Sequence, residues 1–468
     1  MNGPSNARLL ELDRDQMRRL GHRVMDMIAE HLSALADASI GRKGDPGVLR
    51  PLFLQPPPEA PGDADAVLSR VVDDVLGNML YVNHPRFLAF VPSPGNFVSA
   101  LADALAAGFN VFNGSWMGGS GAAALELAVV DWMRGWCGLP ETAGGIFVSG
   151  GSVANMTALA VARHVKLGDA FADGVAYFSD QTHSSVDRAF RILGFAPGQL
   201  RRLPSDERFQ LDPAAVSREI ARDRERGLRP FCIVANAGTT NTGTVDPMRE
   251  LALLAREQGL WMHADGAFGA AAAISPRGRA ALEGLELADS LSIDPHKWLF
   301  QTFECGCVLL RDGRQLKETY QILPDYLQDL RGMGEVNPCD YGIQLSRGFR
   351  ALKVWLSVQV FGMAAFRAAV EHGFELAEYA QRRLESMPDW EIVSSAQMGT
   401  LAFRYAPSPI EVRLVEAMLK DGHALVSSTV LRGVTALRMF TINPRTTHQD
   451  IDGTLERMDL LAKALSTT

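Results

Sequence analysis

The spacing of apolar residues changes character along the chain. From Met17 to Leu35, apolar side chains recur every three or four residues, which predicts an amphipathic helix whose apolar face needs a cover. The stretch from Pro51 to Pro61, PLFLQPPPEAP, is rich in proline. Because proline lacks a backbone N–H and has a fixed φ, we expect an extended connector there and no helix. These two features define an N-terminal segment, residues 1–85.

Short β-rich runs alternate with helical stretches between about residues 145 and 310. The runs are GIFVS, VAYFS, PFCIVAN, LWMHAD, DSLSID and CGCVLL. Such alternation predicts crossover units and a mainly parallel sheet with helices on both faces. Several runs end on polar residues, namely Ser149, Asp180, Asn236, Asp265 and Asp294. Ligands of open parallel sheets bind beyond the carboxyl ends of the strands, so we expect the functional site there.

A second, smaller unit is predicted at the C-terminus. A long helical stretch from Ser346 to about Ser386 precedes two further strands, LAFRY and ALRMFTI, with a helix between them and one after. This pattern predicts a small α/β domain. We therefore divide the chain into residues 1–85, a large domain 86–360 and a small domain 361–468.

Composition excludes several classes of function. The chain has 468 residues, 47% of them hydrophobic, and a net charge of −8, which disfavours nucleic acid and anionic membranes as partners. Five scattered cysteines do not form a disulfide framework, and the C-x-C of Cys305 and Cys307 lacks the second pair that zinc needs, so we expect no metal. No uncharged apolar stretch reaches the ~20 residues of a membrane span, and the N-terminus is charged. A cytoplasmic protein is expected.

The first chemical motif is SGGSVAN, from Ser149 to Asn155, between a predicted strand and a predicted helix. Glycines let the backbone approach an anion, and the free N–H groups of a helix start attract phosphate. Two alternatives remain open. The motif is also compatible with an ordinary βα turn, and GGSVA is close to a hydrolase nucleophile elbow with Ser152 as nucleophile.

Two further motifs follow predicted strands. In HADGAF, Asp265 ends a strand, where a carboxylate suits the cationic nitrogen of a heteroaromatic ring, although an Asp at this position is also a common helix N-cap. In SIDPHKWLF, Lys297 is one of seven lysines and stands among large apolar residues. A lysine in such surroundings can form a Schiff base, although most lysines are surface charges.

An anion loop, an aspartate and a lysine follow one another in the order of a pyridoxal phosphate site. With the motifs HPRFLAF, SDQTHSS, AGTTNTG, HADGAF, DPHKWL and PDYL, the chain resembles the pyridoxal-phosphate-dependent group II amino acid decarboxylases, the branch that contains aromatic-L-amino-acid decarboxylase. The resemblance implies a fold-type I enzyme with a seven-stranded sheet, pyridoxal 5'-phosphate as cofactor, and a homodimer with shared active sites.

The resemblance also implies roles around the cofactor ring. Lys297 would form the Schiff base, Asp265 would bind the pyridine nitrogen, His183 would stack on the ring, and Ala267 would lie beneath the other face. Tyr326, in PDYL, would protonate the substrate carbon from a loop that reaches the neighbouring subunit. Alternatively, His183 caps the helix that follows it and Tyr326 is a packing residue.

At the phosphate end, the resemblance implies four residues, Gly151, Ser152, Asp294 and His296, while Thr240 would lie near the ring hydroxyl. Asp294 stands where the family usually has Asn, and a carboxylate near a phosphate needs compensating donors. Arg438, in ALRMF, is interpreted as structural, because a decarboxylase should leave the departing carboxylate in a less polar place.

Substrate recognition is implied for Phe90, Pro92, Phe112, Gly114 and Ser346. Gly114 replaces a bulky aromatic of the animal enzymes and is expected to enlarge the pocket, whereas Ser346 matches plant relatives that act on phenolic substrates. The implied activity is decarboxylation of an aromatic L-amino acid to the arylalkylamine and CO2.

Two alternatives to this activity remain. The first is an aldehyde synthase on the same scaffold, which the presence of both Tyr326 and His183 disfavours. The second, from another class, is an α/β-hydrolase that uses Ser152.

Overall fold

A seven-stranded sheet forms the centre of the molecule in the computed structural model, which describes residues 10–322 and 334–467. Its strands are β1 (Gly144–Val148), β2 (Gly174–Ser179), β3 (Leu200–Leu203), β4 (Arg229–Asn236), β5 (Trp261–Asp265), β6 (Ser290–Ile293) and β7 (Gly306–Leu310). The order is β1-β7-β6-β5-β4-β2-β3, with β7 antiparallel to both neighbours and the other pairs parallel. The predicted mainly parallel sheet is confirmed. Of the seven strands, only β3 was not predicted, because its sequence LRRL contains two arginines and no apolar run.

Helices cover both faces of this sheet. One face packs against α5 (Trp116–Trp136), α8 (Pro213–Glu225) and α9 (Met248–Gln258), and the other against α6 (Gly151–Leu167), α7 (Ser184–Ile192) and α11 (Arg314–Tyr320). In β4, Ile233 and Ala235 belong to the first core, whereas Cys232 and Val234 belong to the second. Burial on both faces explains why these strands are continuous apolar runs.

The C-terminal unit contains a four-stranded antiparallel sheet of β8 (Trp390–Gln397), β9 (Thr400–Tyr405), β10 (Ser427–Leu431) and β11 (Val434–Phe440), in the order β10-β11-β9-β8. It packs with α13 (Glu411–Asp421) and α14 (His448–Ser466). The prediction of two strands was incomplete. β8 (WEIVSSAQ) and β10 (SSTVL) are only partly buried and mix polar with apolar residues without strict alternation, so their sequences lack the apolar runs that reveal β9 and β11.

The long helix α12 (Ala351–Glu385) starts five residues later than the predicted Ser346, because the preceding Arg347 turns into the core. Gly362, with φ of +73°, kinks the helix. Among the described residues, α12 is the one helix long and apolar enough to cross a membrane by length and composition alone. Most of its buried apolar residues belong to the cores of the two sheets.

The N-terminal segment contains α1 (Arg14–Ala34), α2 (Pro46–Phe53) and α3 (Ala64–Arg70), followed by α4 (Phe97–Gly108); the short α10 (Pro276–Ala281) lies after β5. The amphipathic helix is confirmed as α1, and none of its residues is buried. The expectation that Pro51 lies in a non-helical connector is wrong, since Pro51 lies inside α2. Pro51 removes a single backbone hydrogen bond from α2, the one that residue 51 would donate to the carbonyl of Gly47, and Asp45 caps the helix start.

Candidate active site

A cavity of about 330 Å³ opens at the carboxyl ends of the parallel strands, where the sequence predicted the site. The residues predicted to hold the cofactor all line it: Gly151, Ser152, His183, Thr240, Asp265, Ala267, Asp294, His296 and Lys297. They come from segments more than 140 residues apart, so the topology of the sheet brings them together.

The start of α6 forms one end of the cavity. Its N-cap is Gly150, and within the described residues no side chain caps the helix. A Cβ at Gly151 would lie 2.7 Å from the Cβ of Ala267 and 3.0 Å from Asp294 Oδ2. Glycine therefore leaves uncapped N–H groups accessible to an anion, as the SGGSVAN motif predicted. Ser152, at the same end, makes no hydrogen bond to a histidine in the described ranges, so the hydrolase alternative lacks a base.

Lys297 lies next to a buried carboxylate. Its Nζ is 3.0 Å from Asp294 Oδ2, and His296 Nε2 is 3.7 Å from the same oxygen. His296 Nδ1 is 2.7 Å from the carbonyl oxygen of Cys305, and burial lowers the pKa of the His296 imidazole. The neutral ring therefore donates from Nδ1. Lys297 therefore compensates Asp294 Oδ2 only, and Asp294 Oδ1 is buried without a hydrogen-bond partner among the described residues.

Asp265 is held by three donors. Its Oδ2 accepts from Asn155 Nδ2 at 3.0 Å, and its Oδ1 accepts from Ser292 Oγ and from the backbone N–H of Ala267, both at 3.2 Å. The last bond is a local turn, and no α-helix begins at Asp265, so the N-cap alternative is wrong. A fixed, buried carboxylate of this kind suits a cationic ring nitrogen.

His183 lines the cavity and also caps α7. Its Nδ1 accepts from the backbone N–H of Ser185 at 3.2 Å and lies 2.8 Å from Ser185 Oγ. Burial lowers the pKa of His183, which keeps the ring neutral at neutral pH. The capping interpretation is thus correct, and it is compatible with a position at the cavity wall.

The residues predicted to bind substrate lie elsewhere in this chain. None of Phe90, Pro92, Phe112, Gly114 and Ser346 lines the cavity of Lys297, and the side chains of Phe90, Phe112 and Ser346 are exposed. The expectation that Gly114 opens space is wrong within this subunit. A Cβ at Gly114 would lie 2.3 Å from Cζ of Phe112 and 2.4 Å from the carbonyl oxygen of Leu345, so the space is already filled.

Of two other residues considered in the sequence, one is described by the structure and one is not. Tyr326 lies outside the described residues. Arg438 is buried, donates from Nη1 to the carbonyl oxygen of Thr240 at 2.8 Å, and reaches Asn241 Oδ1 at 3.2 Å. Burial lowers the pKa of Arg438 to about 10. Its contacts fix the segment around Thr240, which agrees with the structural interpretation.

Sequence reasoning missed the polar residues behind Asp265, namely Asn155, Ser185, His263, Ser290 and Ser292. A signal was present. H-A-D in β5 and S-L-S in β6 place polar residues two apart, on one face of buried strands, where polar groups are rare without a purpose. Asn155 follows Gly151 by four residues and so lies on the same face of α6.

The fold and the cavity together define an enzyme of the pyridoxal-dependent decarboxylase class. Residues 46–406 match the pyridoxal-dependent decarboxylase conserved domain, and the chain belongs to this family. It is therefore a fold-type I carboxy-lyase with pyridoxal phosphate as cofactor. In the described ranges, no cluster of three His, Cys, Asp or Glu residues has the arrangement to hold a metal ion.

Relatives extend along the whole chain. It is 44% identical to the aromatic-L-amino-acid decarboxylase of Bacillus atrophaeus, covering 98% of each chain, and 30% identical to the phenylacetaldehyde synthase of Arabidopsis thaliana, covering 94% of each. The structure of Oryza sativa TDC with PLP and tryptamine aligns with a TM-score of 0.93 and 25% identity, over 98% of this chain and 100% of that one. The Catharanthus roseus tryptophan decarboxylase in complex with L-tryptophan aligns with a TM-score of 0.90 and 26% identity, over 97% and 99%.

The residues around the cavity fit pyridoxal phosphate. The uncapped start of α6 offers backbone donors to the phosphate, Asp265 offers a carboxylate to the ring nitrogen, and Lys297 offers an amine to the aldehyde. These groups line one cavity, so one molecule of the cofactor can engage all three.

Proposed function

We propose that this protein removes the α-carboxylate of an aromatic L-amino acid and releases the arylalkylamine and CO2. The observation that carries the proposal is the meeting of Lys297, Asp265 and the uncapped start of α6 in one cavity. The full-length similarity to an aromatic-L-amino-acid decarboxylase supports the aromatic substrate. When bound, pyridoxal phosphate supplies an electron sink for the bond that breaks at the α-carbon.

Within this proposal the chain's own residues have distinct tasks. Lys297 binds the cofactor covalently, and Asp294, 3.0 Å away, orients its amine. Asp265 would hold a proton on the ring nitrogen, and the neutral His183 would contact the ring from the wall of the cavity. Ser152 and Gly151 receive the phosphate through their backbone N–H groups. Thr240 and His296 complete the wall of the cavity.

The substrate side requires residues from beyond this cavity. Phe90 and Phe112 are 59% and 37% exposed, so their rings are available to a site completed by a second copy of the chain. We assign them, with Pro92, Gly114 and Ser346, to recognition of the aromatic ring, and Tyr326 to protonation of the α-carbon.

A homodimer follows from the same reasoning. Helix α1 buries none of its residues, and Met17 in its apolar stripe is 56% exposed. Exposed apolar side chains continue through Phe53 in α2 and Val67 in α3. A second copy is the partner that covers this surface in the proposal. A fully active monomer at assay concentrations would contradict it.

The division into residues 1–85, 86–360 and 361–468 accompanies the proposal, with the second boundary beside the kink at Gly362. A cytoplasmic location is part of the same proposal, as is the absence of nucleic acid and membrane partners. Fractionation of the producing cells checks the location.

The decarboxylase proposal is tested by incubating the holoenzyme with single amino acids. We expect CO2 and the matching amine from at least one of Trp, Tyr, Phe and DOPA. Lys297→Ala should abolish both the product and the adduct that borohydride traps, whereas the exposed Lys420→Ala should retain both. If the enzyme instead produced aldehyde, ammonia and hydrogen peroxide in place of the amine, the aldehyde synthase alternative would be established. The 30% identity to a phenylacetaldehyde synthase is the reason for measuring these products.

Shared sites are tested by mixing two inactive or impaired parents. If Tyr326 serves the neighbouring subunit, a hybrid of one Lys297→Ala subunit and one Tyr326→Phe subunit has one site that lacks both groups and one site that has both. We expect clean amine production to reappear in the hybrid if Tyr326 serves the neighbouring subunit. Activity that merely averages the two parents would place Tyr326 in its own subunit's site.

A further inference from the structure

A line of polar side chains runs through the buried face of the sheet behind Asp265. His263 and Asp265 lie on one face of β5 and pair in register with Ser290 and Ser292 of β6. Asn155 of α6 forms hydrogen bonds with His263 and Asp265 from the helix side of the sheet, and all five residues are at most 7% exposed. Unpaired polar groups at this depth are costly, so each donor and acceptor must be assigned.

The ends of the line determine its direction. Trp261 Nε1 can only donate, and it lies 2.8 Å from Ser290 Oγ. Because the Asp265 carboxylate only accepts, Asn155 must turn its Nδ2 toward it and its Oδ1 toward His263; His263 Nδ1 therefore accepts from the Ser290 hydroxyl at 2.9 Å, and the His263 proton lies on Nε2. That nitrogen donates to Asn155 Oδ1 at 3.0 Å, and Asn155 Nδ2 donates to Asp265 Oδ2 at 3.0 Å. If the Asn155 amide were flipped, its Oδ1 would face Asp265 Oδ2, and two hydrogen-bond acceptors would lie against each other.

A branch of the same line reaches His183. Asn155 Nδ2 also donates to Ser185 Oγ at 2.9 Å. The Ser185 hydroxyl then donates to His183 Nδ1 at 2.8 Å, where the backbone N–H of Ser185 also donates at 3.2 Å. Because Nδ1 accepts both, the proton of the neutral ring lies on Nε2. Burial supports neutral rings at both ends, since it lowers the pKa of His263 to about 4 and also lowers that of His183.

We propose that Asn155 is a positioning residue, supported by His263, that orients the Asp265 carboxylate and fixes His183 as its Nε2–H tautomer. One side-chain amide uses its two hydrogens for these two tasks, one for each side of the cavity. The inference rests on the proposed function for its catalytic meaning, because Asp265 and His183 act on the cofactor ring. The hydrogen-bond directions themselves need no cofactor and no substrate.

The tautomer is the most direct test. Histidine labelled with ¹⁵N in the full-length protein distinguishes protonated from unprotonated ring nitrogens, and assignment uses the loss of one signal in His183→Gln. We expect the wild-type protein to show His183 protonated at Nε2 and unprotonated at Nδ1. In Asn155→Ala the Ser185 hydroxyl is free to accept from a protonated Nδ1, and only the longer 3.2 Å bond from the Ser185 backbone N–H still opposes that tautomer, so we expect a mixture of tautomers. A wild-type His183 protonated at Nδ1 would overturn the proposal.

Cofactor binding is the second readout. The dissociation constant of pyridoxal phosphate should rise about tenfold or more in Asn155→Ala, in line with the usual effect of residues that orient a ligating group. His263→Gln retains an amide donor toward Asn155 and should stay near wild type, whereas His263→Phe, which keeps a ring without a donor, should resemble Asn155→Ala. This pair keeps the test valid if Asn155→Ala does not fold.

A matched control separates positioning from general destabilisation. Asn443 is fully buried and donates to the carbonyl oxygens of Asn83 and His84, away from the cavity. Asn443→Ala should lower stability but leave the His183 tautomer and the cofactor dissociation constant unchanged. Equal effects of Asn443→Ala and Asn155→Ala on both readouts would reject the positioning role.

The kinetic signature distinguishes this inference from the proposed function. Among active variants, Asn155→Ala should lower kcat with little change in KM, because the substrate's own contacts are intact. If the wild type decarboxylates no amino acid while the tautomer and cofactor results hold, the proposed function fails and the positioning role stands. If the wild type decarboxylates an amino acid but Asn155→Ala leaves the His183 tautomer unchanged, the proposed function stands and the positioning role fails.

Discussion

The buried ion pair between Glu126 and Arg347 offers the sharpest test of how the fold supports the site. Arg347 Nη2 is 2.7 Å from Glu126 Oε1 and from the carbonyl oxygen of Phe147, and its Nη1 is 2.9 Å from the carbonyl oxygen of Asn113. Glu126 also accepts from the Phe147 N–H at 3.0 Å and from Asn113 Nδ2 at 2.5 Å. The pair thus joins α5, β1 and two loops.

Glu126→Gln keeps the shape of the side chain and removes its charge. The two side chains of the pair are 1% and 4% exposed, so the Arg347 charge would remain buried without compensation, at a cost of about 3–5 kcal/mol. With an unfolding entropy of about 2.1 cal/mol/K per residue, this corresponds to a fall in Tm of about 3–5 °C for cooperative unfolding of 468 residues. Glu391→Gln is the matched control, since its pair with Arg404 is about half exposed and contributes less than ~1 kcal/mol.

The assay is thermal unfolding of both variants by circular dichroism at one protein concentration, followed by steady-state kinetics. Asn113 precedes Gly114 and Arg347 follows Ser346, so loosening of the pair should also raise KM for the amino acid substrate. A fall in Tm for Glu126→Gln that is no larger than for Glu391→Gln would refute the reasoning, because burial would then not determine the cost.

Three further outcomes are expected. Gly151→Ala should weaken binding of pyridoxal phosphate at least tenfold, because the added methyl group would lie 2.7 Å from Ala267 Cβ. Fluorescence titration measures the affinity, and adding Ala267→Gly to the same chain should restore part of it. Burial lowers the pKa of His263 from 6.5 to about 4, so the stability that the neutral ring contributes is present above pH 6.5, and about 2 kcal/mol of it is lost by pH 5. His263→Gln should lack that share of the pH dependence in thermal melts. Identical pH profiles of Tm for the wild type and His263→Gln would contradict this. Tyr326→Phe should still release CO2 but yield more aldehyde and peroxide per amine, and clean amine production would shift the proton donor role to His183.

The sequence by itself determined the large sheet and three motifs at its carboxyl edge. Strands buried on both faces are apolar runs, as in β4 and β7, and such runs are visible without any tertiary information. The motifs of Gly151, Asp265 and Lys297 each follow such a run, so local order along the chain already places them at one edge of the sheet, whereas the tasks of His183, Thr240 and His296 were implied only by the family resemblance.

The tertiary structure decided what depends on contacts between distant segments. β8 and β10 are half-covered strands whose mixed sequences acquire strand structure only from their neighbours. Pro51 lies inside α2 at the cost of one backbone hydrogen bond, and Gly114 opens no space because Phe112 fills it. The role of Asn155 depends on a residue 110 positions away, and hydrogen-bond direction is a property of the assembled network. A polar side chain acquires its function from the partners that burial imposes on it, and those partners are set by the fold.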